Sequence, residues 1–153
     1  MKTDIILAGV GGQGILSIAA VLGAAALNED YYLKQAETHG MSQRGGAVVS
    51  HLRISDRPVN SDLIPMGSAD LILSVEPLES LRYLPYLSGK GSLVTNTVEF
   101  KNIADYPDVK KLFEEVTGKF NIVRINADQI AKETGNPKAS NMVMLGAASP
   151  FID

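Results

Sequence analysis

The chain has 153 residues, 45% of them hydrophobic and 20% charged, with a formal net charge of −3. This is the composition of one globular domain with a real core, and it offers no basic field for nucleic acid or an anionic membrane. The absence of cysteine excludes disulfides, thiol catalysis and a thiolate-held iron–sulfur cluster. Only His39 and His51 are available as imidazole ligands, so no metal site is expected. No apolar run reaches the roughly 18 residues of a membrane span. Asp4 interrupts the N-terminal apolar run and no small-residue cleavage site follows, so the cytoplasm is the expected compartment.

Taken in chain order, residues 4–10 form a short apolar run that predicts a buried parallel strand, central in its sheet. A turn rich in glycine follows at 9–14. Residues 15–27 are Ala-, Leu- and Ile-rich without proline, predicting a helix buried on most sides. Asn28, Glu29 and Asp30 stop it. Two tyrosines lead a second strand over 31–37. Residues 38–46, THGMSQRGG, have no hydrophobic period and predict a loop. Residues 47–55 alternate, with Val48, Ser50, Leu52 and Ile54 against Val49, His51 and Arg53, which predicts a half-exposed strand. The run 70–75 predicts another buried strand. Pro77 then opens a helix carrying Leu78, Leu81 and Leu84. Gly89, Lys90 and Gly91 are expected to break the chain before a strand at 92–96. A polar helix over 108–117, a strand at 121–125, a short helix at 127–134 and a last helix at 139–148 complete the pattern. Strand and helix alternate, so the expected fold is a three-layer α/β domain. Its sheet is mainly parallel with helices on both faces, and a Rossmann-like glycine turn follows the first strand.

That turn places Gly9, Gly11 and Gly14 in G-x-G-x-x-G spacing between strand and helix, the context in which backbone amides at a helix start cradle a phosphate. Gly9, Gly11, Gly12, Gln13 and Gly14 are therefore the candidate cofactor-binding residues. Packing alone can also demand glycine in such a turn. A dinucleotide site would add an acid about 20 residues on. Glu37 is the candidate, but it leads into a loop rather than a helix. The 38–46 loop gathers His39, Ser42, Gln43 and Arg44 among glycines. Its Arg and Gln side chains suit an anion or a partner surface. No catalytic residue is assigned. His39 has no evident orienting partner, His51 falls on the strand's polar face, and Glu76 and Glu79 suit a helix N-terminus. Asn136, Ser140 and Asn141 surround the start of the last helix, and at least one of them is expected to cap it.

Four segments carry a likeness: GVGGQGIL at 9–16, ETHGMSQRGGAVVSHLRIS at 37–55, ADLILSVEPLESLRYLPYL at 69–87 and NMVMLGAASPF at 141–151. With the weaker VTNT at 94–97 and NIADYP at 102–107, the chain resembles the gamma-type domain of 2-oxoacid:ferredoxin oxidoreductases over nearly its whole length. The HGMSQRGG loop is similar to that of the indolepyruvate branch, whose beta subunit is a free-standing short chain. The resemblance implies a subunit of a complex that oxidatively decarboxylates a 2-oxoacid to an acyl-coenzyme A. Thiamine diphosphate and the iron–sulfur clusters would sit on a large partner subunit. Ferredoxin would be reached through the complex, and this chain would be inactive alone. It also implies coenzyme A as the ligand of the glycine turn and a partner or active-site role for His39, Ser42, Gln43 and Arg44. The family's domain usually continues past the last match, so the single domain 1–153 is expected to lack C-terminal helices. The alternatives are a stand-alone nucleotide-binding protein of NAD type, such as a small dehydrogenase or sensor, and an assembly chaperone with an empty turn.

Overall fold

A computed structural model describes residues 1–40 and 45–152. Six strands form one sheet in the order β2-β3-β1-β4-β5-β6. They are β1 (Lys2–Val10), β2 (Tyr32–His39), β3 (Ala47–Ser55), β4 (Ala69–Ser74), β5 (Leu87–Asn96) and β6 (Asn121–Ile125). The helices are α1 (Ile15–Asn28), α2 (Pro77–Arg82), α3 (Val109–Val116), α4 (Ala127–Glu133) and α5 (Ser140–Ala148). The pairs β1–β4, β4–β5 and β5–β6 are parallel, whereas β3 is antiparallel to both β1 and β2. β3 is therefore the one strand that runs against the rest.

β1 is buried from Thr3 onward, as a strand between two neighbours and two helical layers must be. Its alternation divides the core. Ile5 and Leu7 meet Ile18, Leu22, Met144 and Ala148 of α1 and α5 on one face. Ile6 joins Ile72, Leu93, Val109 and Phe113 on the other, the face of α2 and α3. Helices thus cover both faces of the sheet.

Four local expectations are corrected. β3 is not half-exposed: it is buried on both faces from Val48 to Ser55. Its polar face is covered by the segment 61–64. The Ile64 amide donates to His51 Nδ1 at 3.0 Å, and Arg53 donates to the carbonyls of Ser61 and Leu63 at 3.1 Å each. Arg53 also forks onto the fully buried Asp4 carboxylate at 2.8 and 3.1 Å. His51 and Arg53 are thus satisfied by the backbone of the covering segment and by Asp4 instead of facing water. Second, α1 is not buried on most sides. Ile15, Ile18, Ala19, Leu22, Gly23 and Ala26 face the sheet, while Leu16, Val21 and Leu27 are exposed. Third, Gly89–Gly91 does not break the chain. β5 runs through it, with a register shift opposite Ala69 and Leu71. A Cβ on Gly91 would lie 2.6 Å from the Ala69 carbonyl oxygen, so glycine here permits a close strand approach. Fourth, β2 runs on to His39, taking Thr38 and His39 out of the expected loop.

Candidate functional site

α1 leaves the end of β1 toward one face of the sheet, and α2 leaves the end of the adjacent β4 toward the other. This is a topological switch point, where open α/β sheets leave a crevice beyond the carboxyl ends of their strands. The glycine turn lies there. Gly9 serves packing: a Cβ would stand 2.5 Å from Val75 Cγ2 and 2.9 Å from Ile15 Cδ1. Gly12 and Gly14 have φ of 97° and 81°, a left-handed backbone that favours glycine. Gln13 folds back on its own turn, its Oε1 accepting the Val10 amide at 2.8 Å. Gly14 caps α1 without any side-chain bond. No partner among the described residues takes the Gly12 and Gly14 amides. They are the turn's available donors, together with the first amides of α1.

The turn and the glycine loop are joined by backbone. The β1–β3 ladder continues past its last pair, with Gly11 N–H donating to the Gly46 carbonyl at 2.8 Å and Gly45 N–H donating to the Gly11 carbonyl at 3.4 Å. Asn102, from the β5–α3 connection, donates through Nδ2 to the Gly45 carbonyl at 2.6 Å. On the other side, Asn141 Nδ2 of α5 donates to the Gly14 carbonyl at 3.2 Å. Asn141 is thus a brace on the turn and not a cap. The N-cap of α5 is Ala139, without any side-chain cap, and Asn136 Oδ1 accepts the Lys138 amide at 3.3 Å in the connection before it, which corrects the expected capping.

Two cavities share the turn. The larger, about 410 Å³, is polar and lies between Gly12–Gly14 and the start of α5, with Asn96, Asp128, Lys138 and Ser140 on its walls. The smaller, about 300 Å³, is more apolar and runs past Gly11, Leu16 and Val48 to His39. Asn96 fixes the far wall of the larger one. Its Nδ2 donates to Asp128 Oδ1 at 3.1 Å and its Oδ1 accepts the Ala127 amide at 3.1 Å. His39 is half exposed, with Nε2 3.5 Å from Glu37 Oε2 two residues earlier on the same strand face. Sequence offered no such partner. Ser42, Gln43 and Arg44 lie outside the described residues. Glu37 pairs in register with Ser50 of β3. β3 separates it from β1, so it stands two strand spacings, roughly 10 Å, from the strand that carries the turn.

Sequence reasoning missed Asn96, Asp128, Lys138 and Asn102. Only the topology brings them to the turn, and no local period marks them. Glu76 was read as a helix-terminal acid, and it does cap α2, accepting the Glu79 amide at 2.8 Å. Fully buried, it also accepts the Phe100 amide at 3.2 Å and the Tyr106 hydroxyl. Burial and that bond to Glu76 push the Tyr106 hydroxyl far above its ordinary pKa. Burial likewise raises the Glu79 carboxyl, against the opposing pull of Arg82 at 3.0 Å. Among the described residues no three His, Asp or Glu side chains are grouped to hold a metal ion, and no helix is long and apolar enough to cross a membrane.

A glycine turn at a switch point, walled by polar side chains and tied to a second glycine loop, defines an α/β domain with a crevice at the carboxyl ends of its strands. Residues 4–153 match the family described as pyruvate ferredoxin/flavodoxin oxidoreductase, and the chain belongs to that family. It is 42% identical over 95% of its length to the indolepyruvate oxidoreductase subunit IorB of Thermococcus kodakarensis, covering 76% of that protein. It is 38% identical over 97% of its length to the IorB subunit of Methanothermobacter thermautotrophicus, covering 79% of it. Among solved structures, the pyruvate oxidoreductase subunit PORC of Thermotoga maritima aligns with a TM-score of 0.69 at 25% identity, over 99% of this chain and 79% of that one. A 2-oxoglutarate:ferredoxin oxidoreductase from Magnetococcus marinus aligns with a TM-score of 0.74 at 21% identity, over 97% of this chain but 24% of that one. The chain is thus a homologue of the gamma-type subunits of 2-oxoacid oxidoreductase complexes.

Proposed function

We propose that this chain is the small subunit of a ferredoxin-dependent oxidoreductase acting on indolepyruvate or another aryl pyruvate, and that its glycine turn holds the diphosphate of coenzyme A. The observation that carries this reading is the 410 Å³ cavity lined by both Gly12 and Gly14, whose amides have no partner among the described residues, and by Lys138. Amide donors, the positive end of α1 and one ammonium group suit a diphosphate. The remainder of the coenzyme would follow the cavity between the turn and the start of α5. Gly12, Gln13 and Gly14 are the turn residues that line it. Gly9 and Gly11 support them from behind, Gly9 by packing and Gly11 by its bonds to the loop.

The reaction needs two things this chain does not supply. Without cysteine it holds no thiolate-bound cluster. It also lacks the G-D-G and paired-asparagine signature of thiamine diphosphate binding. The partner's thiamine diphosphate would carry the decarboxylation. Two electrons would pass through partner clusters to ferredoxin, and the acyl group would go to the coenzyme A thiol with loss of carbon dioxide. The contribution of this chain is to position coenzyme A, with the 39–46 loop set against the partner. The NAD-type alternative is disfavoured by the place of Glu37, since no acid ends a strand adjacent to β1 on the side where a ribose would lie.

The test is reconstitution with the large subunit. Lys138→Ala should raise KM for coenzyme A by about tenfold, the scale of one charge-assisted bond, and leave KM for the 2-oxoacid unchanged. The isolated chain should bind no iron and reduce no methyl viologen. An unchanged KM for coenzyme A would remove the ligand from this cavity, and turnover by the chain alone would overturn the division of labour.

A further inference from the structure

We infer that Asn102 is a positioning residue of this site, the clamp through which the buried Glu76 carboxylate sets the geometry of both glycine motifs. This rests on the reading of the turn as the coenzyme A site.

The segment 97–106 is not a free connection. The Thr97 amide donates to the Ile125 carbonyl at 2.8 Å, the Phe100 amide to Glu76 Oε1 at 3.2 Å, and the Tyr106 hydroxyl to the same oxygen. Asn102 N–H donates to the Phe100 carbonyl at 2.8 Å. Glu76 is 1% exposed and belongs to α2, so the segment is pinned to the core from both ends. Among the described residues, its one side-chain bond toward the glycine motifs is Asn102 Nδ2 onto the Gly45 carbonyl at 2.6 Å.

That carbonyl belongs to a Gly45–Gly46 peptide, which is free of the Cβ constraints that would otherwise fix its plane. Gly45 sits at φ 79°. Among the described residues, the two bonds holding the glycine turn to the loop run through these two glycines, Gly11 N–H to Gly46 and Gly45 N–H to Gly11. The Gly45–Gly46 peptide itself makes neither bond but lies between the two peptides that do, so a free turn of its plane would misdirect both. Asn102 supplies the restraint, from an element that neither glycine motif contains. The route runs from Glu76 to Phe100 and Tyr106, then Asn102, Gly45 and Gly11. Asn102 lines neither cavity at the turn, so its effect on ligand is exerted through the backbone it holds.

The test uses Asn102→Ala and Asn102→Asp. The aspartate keeps the side chain's shape but turns an acceptor toward the Gly45 carbonyl. In the free chain, amide hydrogen exchange at Gly11 and Gly45 should quicken about fivefold in the alanine variant, the scale of one net hydrogen bond, and further in the aspartate variant. The melting temperature should hold in the alanine variant. In the reconstituted complex, KM for coenzyme A should rise by a similar factor while KM for the 2-oxoacid stays. A purely structural role would move the melt and spare that split. Unchanged exchange at Gly11 and Gly45 in both variants would overturn the inference whatever the kinetics. Faster exchange with an unchanged KM for coenzyme A would uphold the clamp and instead sink the placement of coenzyme A at the turn.

Discussion

Gly12 and Gly14 share a left-handed backbone, at φ 97° and 81°, but differ in what surrounds them. Nothing lies within 4 Å of a Cβ added at Gly12, whereas one at Gly14 would come within 2.4 Å of Asn141 Nδ2. Gly12→Ala should therefore cost only the left-handed strain, about 1–2 kcal/mol. Gly14→Ala should cost that plus the displaced Asn141 brace, about 1 kcal/mol more. Denaturant midpoints of the two variants measure the difference. Gly14→Ala combined with Asn141→Ala should cost less than the sum of the singles, since the second change removes the clash made by the first. The sequence showed that both positions are glycine. It could not show that one is required by conformation alone and the other also by a helix 127 residues away. The Asp4–Arg53 pair follows the same logic in the core. With Asp4 fully buried, Asp4→Ala leaves a mostly buried guanidinium without its counter-charge and should destabilise by about 3–5 kcal/mol. Equal denaturant midpoints for parent and variant would show that water reaches Arg53.

At the scale of the element, β1 and β4 were readable as short unbroken apolar runs, which burial on two faces requires, and α3 by its apolar helical period. β3 misled because its alternation is real but its polar face is covered by a segment with no period of its own. His51 is the sensitive point of that cover. Burial, with the nearby Arg53 charge, holds its imidazole below the ordinary 6.5. The folded state therefore keeps His51 neutral while the unfolded chain takes up a proton near pH 6.5. As pH falls below that value the unfolded state binds more protons, and stability is lost down to the depressed folded pKa. Glu79 acts in the opposite sense: its raised pKa favours the folded state as pH falls toward 4.5, where its ordinary value lies. The comparison of variants isolates the histidine. His51→Asn retains an acceptor for the Ile64 amide, and between about pH 7 and pH 5 its melting temperature should fall less steeply than the parent's. Parallel slopes would mean that His51 titrates alike in both states.

At the scale of the molecule, the decisive feature is the placement of a hairpin. In a doubly wound dinucleotide fold the strand after the first helix returns beside β1, and its terminal acid meets a ribose. Here that strand, β2, goes to the sheet edge and β3 turns back into the place beside β1. The strand-and-helix alternation made the layers legible, but it could not reveal this insertion, because a strand's direction leaves no mark on its hydrophobic period. The hairpin has two effects on the crevice. It removes Glu37 from reach of the turn, and it delivers the Gly45–Gly46 end of its loop directly onto Gly11. The opposite wall is then supplied from far along the chain by Asn96, Asp128 and Lys138. Glu37 and Lys138 should accordingly separate in the reconstituted complex. Glu37→Ala should leave KM for coenzyme A within about twofold of the parent, as surface substitutions away from a site usually do, whereas Lys138→Ala raises it. Calorimetric titration of the free chain with NAD should show no binding. NAD binding that Glu37→Ala abolishes would mean that β2, despite the strand between, reaches the ligand, and the crevice would have to be reassigned from coenzyme A to a dinucleotide.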